Sequence, residues 1–254
     1  MSNNARPPAP STLPVAETAR DVLRTVRSVA GSVARAALGP FTVIFLVEGA
    51  LGLLGQPVAV LEVLAFAVVI LATTMYLVDV HRIVLLGPQA AANLPRFRPN
   101  ARDGRYLGSG VVVALVVALA LLVPVILLAP GFVAIPGGPF ILAVVVSLLG
   151  LAGMLAIGQK LPATAVDRDI SIGAAWDSTK RRLAALLGLV LVLLAPLHLL
   201  ATAAATLYAA ASMGGFPVIP PLLLSLAAQF TELTLFAVLL SVIYRRCSGV
   251  NLTV

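Results

Sequence analysis

Four ionisable side chains lie inside long apolar stretches of the sequence: Glu48, Glu62, His198 and Glu232. A titratable group is expensive to place in hydrocarbon, so such residues are often sites that bind or relay protons, ions or solutes. Gln229 lies three residues before Glu232, which puts both side chains on one face of a helix. This pattern predicts a polar site within the membrane that binds a proton, a cation or a small solute.

The same side chains also have a structural interpretation. Polar groups in membrane helices form hydrogen bonds across helix interfaces and thereby hold bundles together. In addition, Glu48 and Glu62 lie close enough to the predicted outer ends of their helices to be partly hydrated. The sequence leaves these alternatives open.

Motifs for other chemistries are missing from the sequence. His81 and His198 are the only histidines, so the chain contains no HExxH motif and no multi-histidine metal site. It also lacks a GxSxG nucleophile motif and a phosphate-binding Walker loop. Asp167 and Asp169 could form a metal pair, but Arg168 between them favours interfacial charges. We therefore expect no catalytic residue, no metal site and no cofactor, and a protein that is not an enzyme.

Membrane-spanning helices must position these side chains. Hydrophobic residues make up 60% of the chain and charged residues 11%, whereas roughly a quarter of the residues in soluble domains are charged. A helix of about 20 apolar residues is long enough to cross a bilayer. The predicted fold class is all-α, a polytopic membrane helical bundle with six transmembrane helices, at 39–56, 58–80, 108–129, 139–159, 184–211 and 221–244.

The 17 Lys and Arg residues fall into four groups separated by pairs of these spans. Five lie before residue 36, five within 82–105, five within 160–182 and two at 245–246. Cationic segments resist translocation, so this distribution predicts that both termini are cytoplasmic. Because topology and anionic lipid headgroups account for the net charge of +7, we expect no nucleic-acid partner.

Two of the basic segments are also amphipathic. In segment 15–38, valines recur at helical spacing opposite arginines, which suits a helix lying in the headgroup plane. A solvated connector is the alternative interpretation of both segments. Residues 1–14 and 248–254 are predicted to be a disordered tail and a cytoplasmic tail. The predicted headgroup contacts are Arg20, Arg24, Arg27, Trp176, Lys180, Arg181 and Arg182.

Three stretches of the chain resemble a known family. They read VHRIVLLG at 80–87, LPATAVDR at 161–168 running on to Ala175-Trp176, and VIYRR at 242–246. Together they are similar to uncharacterised six-span inner-membrane proteins of bacteria, which are distantly similar to the membrane domain fused to some glycerophosphodiester phosphodiesterases. The resemblance implies a bacterial inner-membrane location and a connection to membrane lipids. The phosphodiesterase activity belongs to a separate soluble domain, so the resemblance does not imply it for this chain.

Two functions are therefore expected from the sequence. The first is a non-enzymatic membrane protein that acts through membrane lipids or through a protein partner, either an unidentified protein or a second copy of the chain. The alternative is a small-solute or proton-coupled transporter that uses the intramembrane carboxylates.

Overall fold

The computed structural model describes residues 13–54, 59–93, 96, 98–214 and 217–248. Within these ranges every regular element is a helix, and six helical stretches are long and apolar enough to cross a membrane. The predicted fold class, an all-α membrane bundle of six spans, is therefore confirmed. Most of the two predicted tails lies outside the described residues.

The helices follow one another along the chain as single spans or short connecting segments. They are α1 (Val15–Leu54), α2 (Ala59–Leu86), α3 (Ala101–Val133), α4 (Gly138–Ile157), α5 (Lys160–Ala165), α6 (Ile172–Thr179), α7 (Leu183–Leu189), α8 (Ala195–Gly214) and α9 (Ile219–Ser248). A π-helical turn, Val190–Leu194, joins α7 to α8. These three pieces form the fifth span.

The last span, α9, is the most enclosed of the six, since 61% of the residues in its most apolar stretch are buried inside the protein. It runs parallel to α2, because Tyr76 contacts Thr234 and His81 contacts Ser241 further along both helices. The end of the bundle that carries Arg82, Arg102, Arg182 and Arg246 is called the basic end below. Antiparallel partners complete the packing around α9, so α9 organises the core.

The first span is one continuous helix of 40 residues that contains Pro40. At about 1.5 Å per residue it is about 60 Å long, roughly twice the thickness of a hydrocarbon core. The sequence predicted an amphipathic helix over 15–38 and a separate span over 39–56, but the helix is not interrupted between residues 38 and 39. Segment 15–38 is the first part of a longer helix.

α1 lies antiparallel to α9 along most of its length. Near the basic end, Arg246 donates to the Thr18 hydroxyl over 3.1 Å. Near the other end, a Cβ on Gly49 would lie 3.6 Å from Leu222. The valine stripe of segment 15–38, including the fully buried Val22, belongs to the main core. The apolar face of segment 15–38, which we expected to face lipid in the headgroup plane, is therefore covered by protein.

α3 and α4 form an antiparallel hairpin whose outward faces are apolar. A Cβ on Gly153 would lie 3.2 Å from Val117, so glycine allows the two helices to approach closely. By contrast, Leu127 is 73% exposed and Phe140 is 66% exposed. Such surfaces need hydrocarbon around them, as expected for spans that face lipid.

Candidate functional site

His198 and Glu232 meet between α8 and α9. The Nδ1 atom of His198 lies 2.8 Å from Oε1 of Glu232, which is hydrogen-bonding distance. The side chains are only 24% and 17% exposed. The structure thus brings together two of the predicted intramembrane residues as a pair that can share a proton.

Glu48 and Gln229 line a small polar cavity of about 150 Å³ nearer the far end of the bundle. The Tyr208 hydroxyl donates to the Glu48 backbone carbonyl over 3.0 Å, which ties α8 to α1. The Gln229 amide donates to Ser225 over 2.8 Å within α9. Thr73 of α2 completes the polar part of the wall. The cavity has room for a few water molecules or a small ion.

The fifth span is irregular one turn before His198. The Ala195 N–H bonds to the Val190 carbonyl, five residues back, and Pro196 follows immediately. Proline has no N–H to offer the carbonyl four residues before it, so regular α-helix is weakened at this point. Single π-helical turns are frequent at functional sites. The irregularity and the polar pair occupy the same region of the bundle.

Glu62 is separated from this polar group. It is exposed in the first turn of α2. The residues of α2 that reach the cavity are Val69 and Thr73, two to three turns further along the helix. Of the predicted intramembrane residues, the structure therefore pairs two, places two in a cavity and leaves Glu62 at a helix end.

A larger, apolar groove lies between α3, α4, α6 and α7. Its volume is about 570 Å³. Trp176 on α6 is 42% exposed and lines it together with Ile157 and Leu187. Helix α6 begins at Ile172, and the hydroxyl of the preceding Ser171 caps it by accepting from the Ala174 N–H. The residues that line the groove are aliphatic side chains, glycine and the Trp176 ring, so its walls are almost entirely apolar.

Positive charges follow the groove-lining helix directly. Lys180, Arg181 and Arg182 form a 3₁₀ turn between Trp176 and Leu183, both of which line the groove. Lys180 donates to Asp177 over 2.6 Å. Arg182 donates to the Ser178 carbonyl over 3.0 Å and is half-buried, whereas Arg181 is exposed.

The arginines of α1 lie on its outer face. Arg20, Arg24 and Arg27 are all exposed, opposite the buried valine stripe. Arg24 pairs with Asp21 at 3.6 Å along the same helix. All three side chains are therefore on the surface of the bundle.

A buried histidine at the basic end was not predicted as a site residue. His81 is fully buried, with Nδ1 2.8 Å from the Ser241 hydroxyl and Nε2 3.0 Å from the Tyr106 hydroxyl. It connects α2, α3 and α9. In the sequence His81 directly follows the predicted second span, and no local pattern indicates its role because its partners are 25 and 160 residues away.

A buried ion-pair network lies beside His81. The Arg96 guanidinium donates to Asp79 over 2.8 Å and to Asp103 over 3.1 Å. Asp103 also accepts from the Asn100 backbone over 2.8 Å, in the capping box that begins α3. The charged side chains at this end therefore fasten the loop before α3 to α2.

Asp167 and Asp169, the pair considered as metal ligands, bind cationic side chains instead. Asp169 accepts from Lys160 over 2.7 Å, and Asp167 accepts from Arg102 and Arg105. Hydrogen bonding to Arg102 holds the pKa of Asp167 below its ordinary value. Within the described ranges, no three His, Cys, Asp or Glu side chains are grouped so that they could hold a metal ion.

The three stretches that carry the family resemblance meet at the basic end. Leu85, Ala163 and Tyr244, one from each stretch, form a small buried cluster. Arg82 donates to the Ala165 carbonyl over 3.1 Å. No protein-family model matches the chain, and searches of curated proteins and of solved structures found no similar protein.

Proposed function

We propose that this chain is a non-enzymatic protein of the bacterial inner membrane that acts through anionic lipids of the cytoplasmic leaflet. In this proposal the basic end of the bundle and both termini lie on the cytoplasmic side. The grouping of basic residues between pairs of spans supports this orientation, because cationic segments resist translocation. The family resemblance supports the bacterial inner membrane as the location.

The apolar groove beside α6 carries the proposal. An acyl chain would bury apolar surface against the walls that α3, α4 and α7 provide. Trp176 is the kind of residue that sits at headgroup level. The next turn supplies Lys180, Arg181 and Arg182, which attract anionic headgroups. Apolar walls next to a cationic rim match an anionic phospholipid.

A substitution that fills the groove tests this proposal. Gly173 lines the groove, and an added Cβ there would meet only the Ser171 hydroxyl at 3.8 Å. Gly173→Leu should therefore fold, since leucine is also the better helix former. In nanodiscs of mixed phosphatidylglycerol and phosphatidylcholine, native mass spectrometry should show less phosphatidylglycerol retained by this variant than by the wild type.

Gly108→Leu is the matched control, because Gly108 is exposed on α3 with nothing within 4 Å of an added Cβ and lies outside the groove lining. It should retain phosphatidylglycerol as the wild type does. Equal retention by all three proteins, or equal retention of the two lipids by the wild type, would refute the proposal. The same spectra report the mass of the complex, and hence whether a second copy or another protein is bound.

A second candidate function is transport of protons or of a small cation. The observation that favours it is the His198–Glu232 contact beside a π-helical turn, with the Glu48 cavity further along the same helices. Transporter sites are commonly built at interrupted helices near the membrane midplane. In proteoliposomes containing a pH-sensitive dye, the wild type should dissipate a proton gradient and Glu232→Gln should not.

Glu62→Gln is the matched control for this experiment, since it makes the same change at an exposed position. It should transport as the wild type does. Equal dissipation by both variants, or none by the wild type beyond that of empty liposomes, would rule out proton transport through this pair.

A further inference from the structure

Three arginines converge on one aspartate at the basic end of the bundle. Arg102 donates to Oδ2 of Asp167 through Nε at 3.0 Å and through Nη2 at 2.5 Å, and its Nε also lies 3.1 Å from Oδ1. Arg105 donates through Nη2 at 2.7 Å. The Arg82 guanidinium lies 3.8 Å from the same carboxylate. These side chains come from α2, from α3 and from the loop after α5, so the fold assembles the cluster.

The charges in this cluster do not balance. Three guanidinium groups surround one carboxylate, so three positive charges face one negative charge. Arg82 makes its hydrogen bond to the Ala165 carbonyl, which carries no net charge. A single arginine would be enough to neutralise Asp167 and to hold the loop against a neighbouring helix, so two of the three positive charges are not needed for that contact. The neighbouring Arg96, Asp79 and Asp103 together add one negative charge near Arg82, so the region keeps a net positive charge at a partly exposed position.

The cluster is accessible and has donors to spare. The Arg105 side chain is 59% exposed and that of Asp167 is 43% exposed. A guanidinium carries five N–H donors, yet within the described part of the chain Arg105 forms a single hydrogen bond. An incoming oxyanion would therefore find unused donors beside the carboxylate.

Asp167 holds its position in an uncommon backbone conformation. Its φ of 56° is in the left-handed region, and among the described residues it is the only non-glycine there. Aspartate and asparagine tolerate this region better than most residues, but it still carries a cost. The Asp167 N–H bonds to the Thr164 carbonyl over 3.1 Å and the Arg168 N–H bonds to the Ala163 carbonyl over 2.9 Å, so this conformation belongs to the Schellman ending of α5. The end of α5 thereby places the Asp167 carboxylate among the arginines.

We propose that Arg82, Arg102 and Arg105 form a binding site for a phosphate group, and that Asp167 occupies part of this site as an internal anion. The planar fork of arginine matches the oxygen spacing of phosphate and of carboxylate alike. The group carrying the phosphate is a lipid headgroup or a soluble phosphate, since both reach this end of the bundle in the proposed topology. The site does not depend on the apolar groove.

Thermal unfolding of the whole protein in detergent tests the proposal. Inorganic phosphate, compared with chloride at the same ionic strength, is the soluble probe. Short-chain phosphatidylglycerol, compared with short-chain phosphatidylcholine, is the lipid probe. Stabilisation by phosphate would support a site for the phosphate group itself. Stabilisation by phosphatidylglycerol alone would support a headgroup site, and stabilisation by neither would overturn the proposal.

Substitutions then assign the effect to the cluster. Arg105→Ala removes charge-assisted hydrogen bonds and should weaken binding of the effective probe by about ten-fold or more. Asp167→Asn suits the left-handed backbone, removes the internal anion and should tighten binding several-fold. Arg98→Ala removes an exposed arginine elsewhere and should bind as the wild type does.

Opposite effects of the two cluster substitutions are a result that a purely structural salt bridge does not give. If Arg98→Ala weakens binding as much as Arg105→Ala, or if Asp167→Asn weakens it, the proposal is wrong. Gly173→Leu should leave the response to inorganic phosphate unchanged. The outcome at this cluster is therefore separable from the outcome at the groove.

Discussion

Replacing Tyr106 with phenylalanine should destabilise the bundle through a single lost hydroxyl. That hydroxyl lies 3.0 Å from Nε2 of His81, whose side chain is completely buried. The Ser241 hydroxyl donates to the Ala237 carbonyl over 2.8 Å, so its oxygen must accept from His81 Nδ1–H. In the neutral ring Nε2 is then an acceptor, and the Tyr106 hydroxyl is its donor.

The expected loss follows from this assignment. A buried acceptor left without its donor costs about 1–3 kcal/mol. Hydrogen bonds between membrane helices average about 0.6 kcal/mol, with a maximum of about 1.7 kcal/mol. Because Tyr106 is only 4% exposed, no water replaces the hydroxyl without rearrangement. We expect Tyr106→Phe to lower the free energy of unfolding by about 1–2 kcal/mol.

Titration with sodium dodecyl sulfate in mixed micelles measures this free energy for the wild type, Tyr106→Phe, His81→Leu and the double variant. The two single losses should be non-additive, with a coupling of about 1 kcal/mol. Nitrogen-15 shifts of His81 should show a proton on Nδ1 and none on Nε2. Additive losses, or a proton on Nε2, would refute the reasoning.

Three further predictions follow from other contacts. The hydrogen bond from Arg102 lowers the pKa of Asp167 below its ordinary value of 3.8. The stabilisation from this bond is therefore present above pH 3.8 and is lost as the pH falls through the lower pKa that Asp167 has in the folded protein. Acid titration should then destabilise the wild type more than Asp167→Asn. Arg246 pairs with Asp21, and Arg246→Ala should speed hydrogen exchange at the start of α1, whereas Arg245→Ala should not. A Cβ on Gly52 would lie 3.1 Å from the Tyr208 hydroxyl; Gly52→Leu should therefore break the bond from Tyr208 to α1 and lower the melting temperature by several degrees.

The six spans could be predicted from the sequence, because a run of about 20 apolar residues is long enough to cross a bilayer as a helix and is rare in other structures. The valine stripe of segment 15–38 shows where such reasoning stops. Amphipathic spacing shows that one face of the helix is covered by apolar groups. It does not distinguish lipid hydrocarbon from the side chains of another helix. The buried Val22 packs in the protein core because α9 happens to lie alongside.

The candidate site was predicted as single residues and not as contacts. Glu232 and His198 were recognisable because each is costly within an apolar helix. Their pairing depends on the register between α8 and α9, which the π-helical turn shifts and which no local pattern encodes. The arginine cluster was missed for the same reason, since Arg102 and Asp167 are 65 residues apart. Only Asp167 had been noted, as half of a metal pair.

The long antiparallel contact between α1 and α9 has a consequence for how the protein is made. Ribosomes extend the chain from α1 towards α9, so α1 inserts while its main partner does not yet exist. Until α9 arrives, the buried face of α1 must be covered by lipid, by the insertion machinery or by α2 alone. The hydrogen bond from Arg246 to Thr18, 228 residues earlier in the chain, can form only after α9 has been made. Premature termination before α9 would release a set of spans without their organising helix, which is the kind of species that membrane proteases remove.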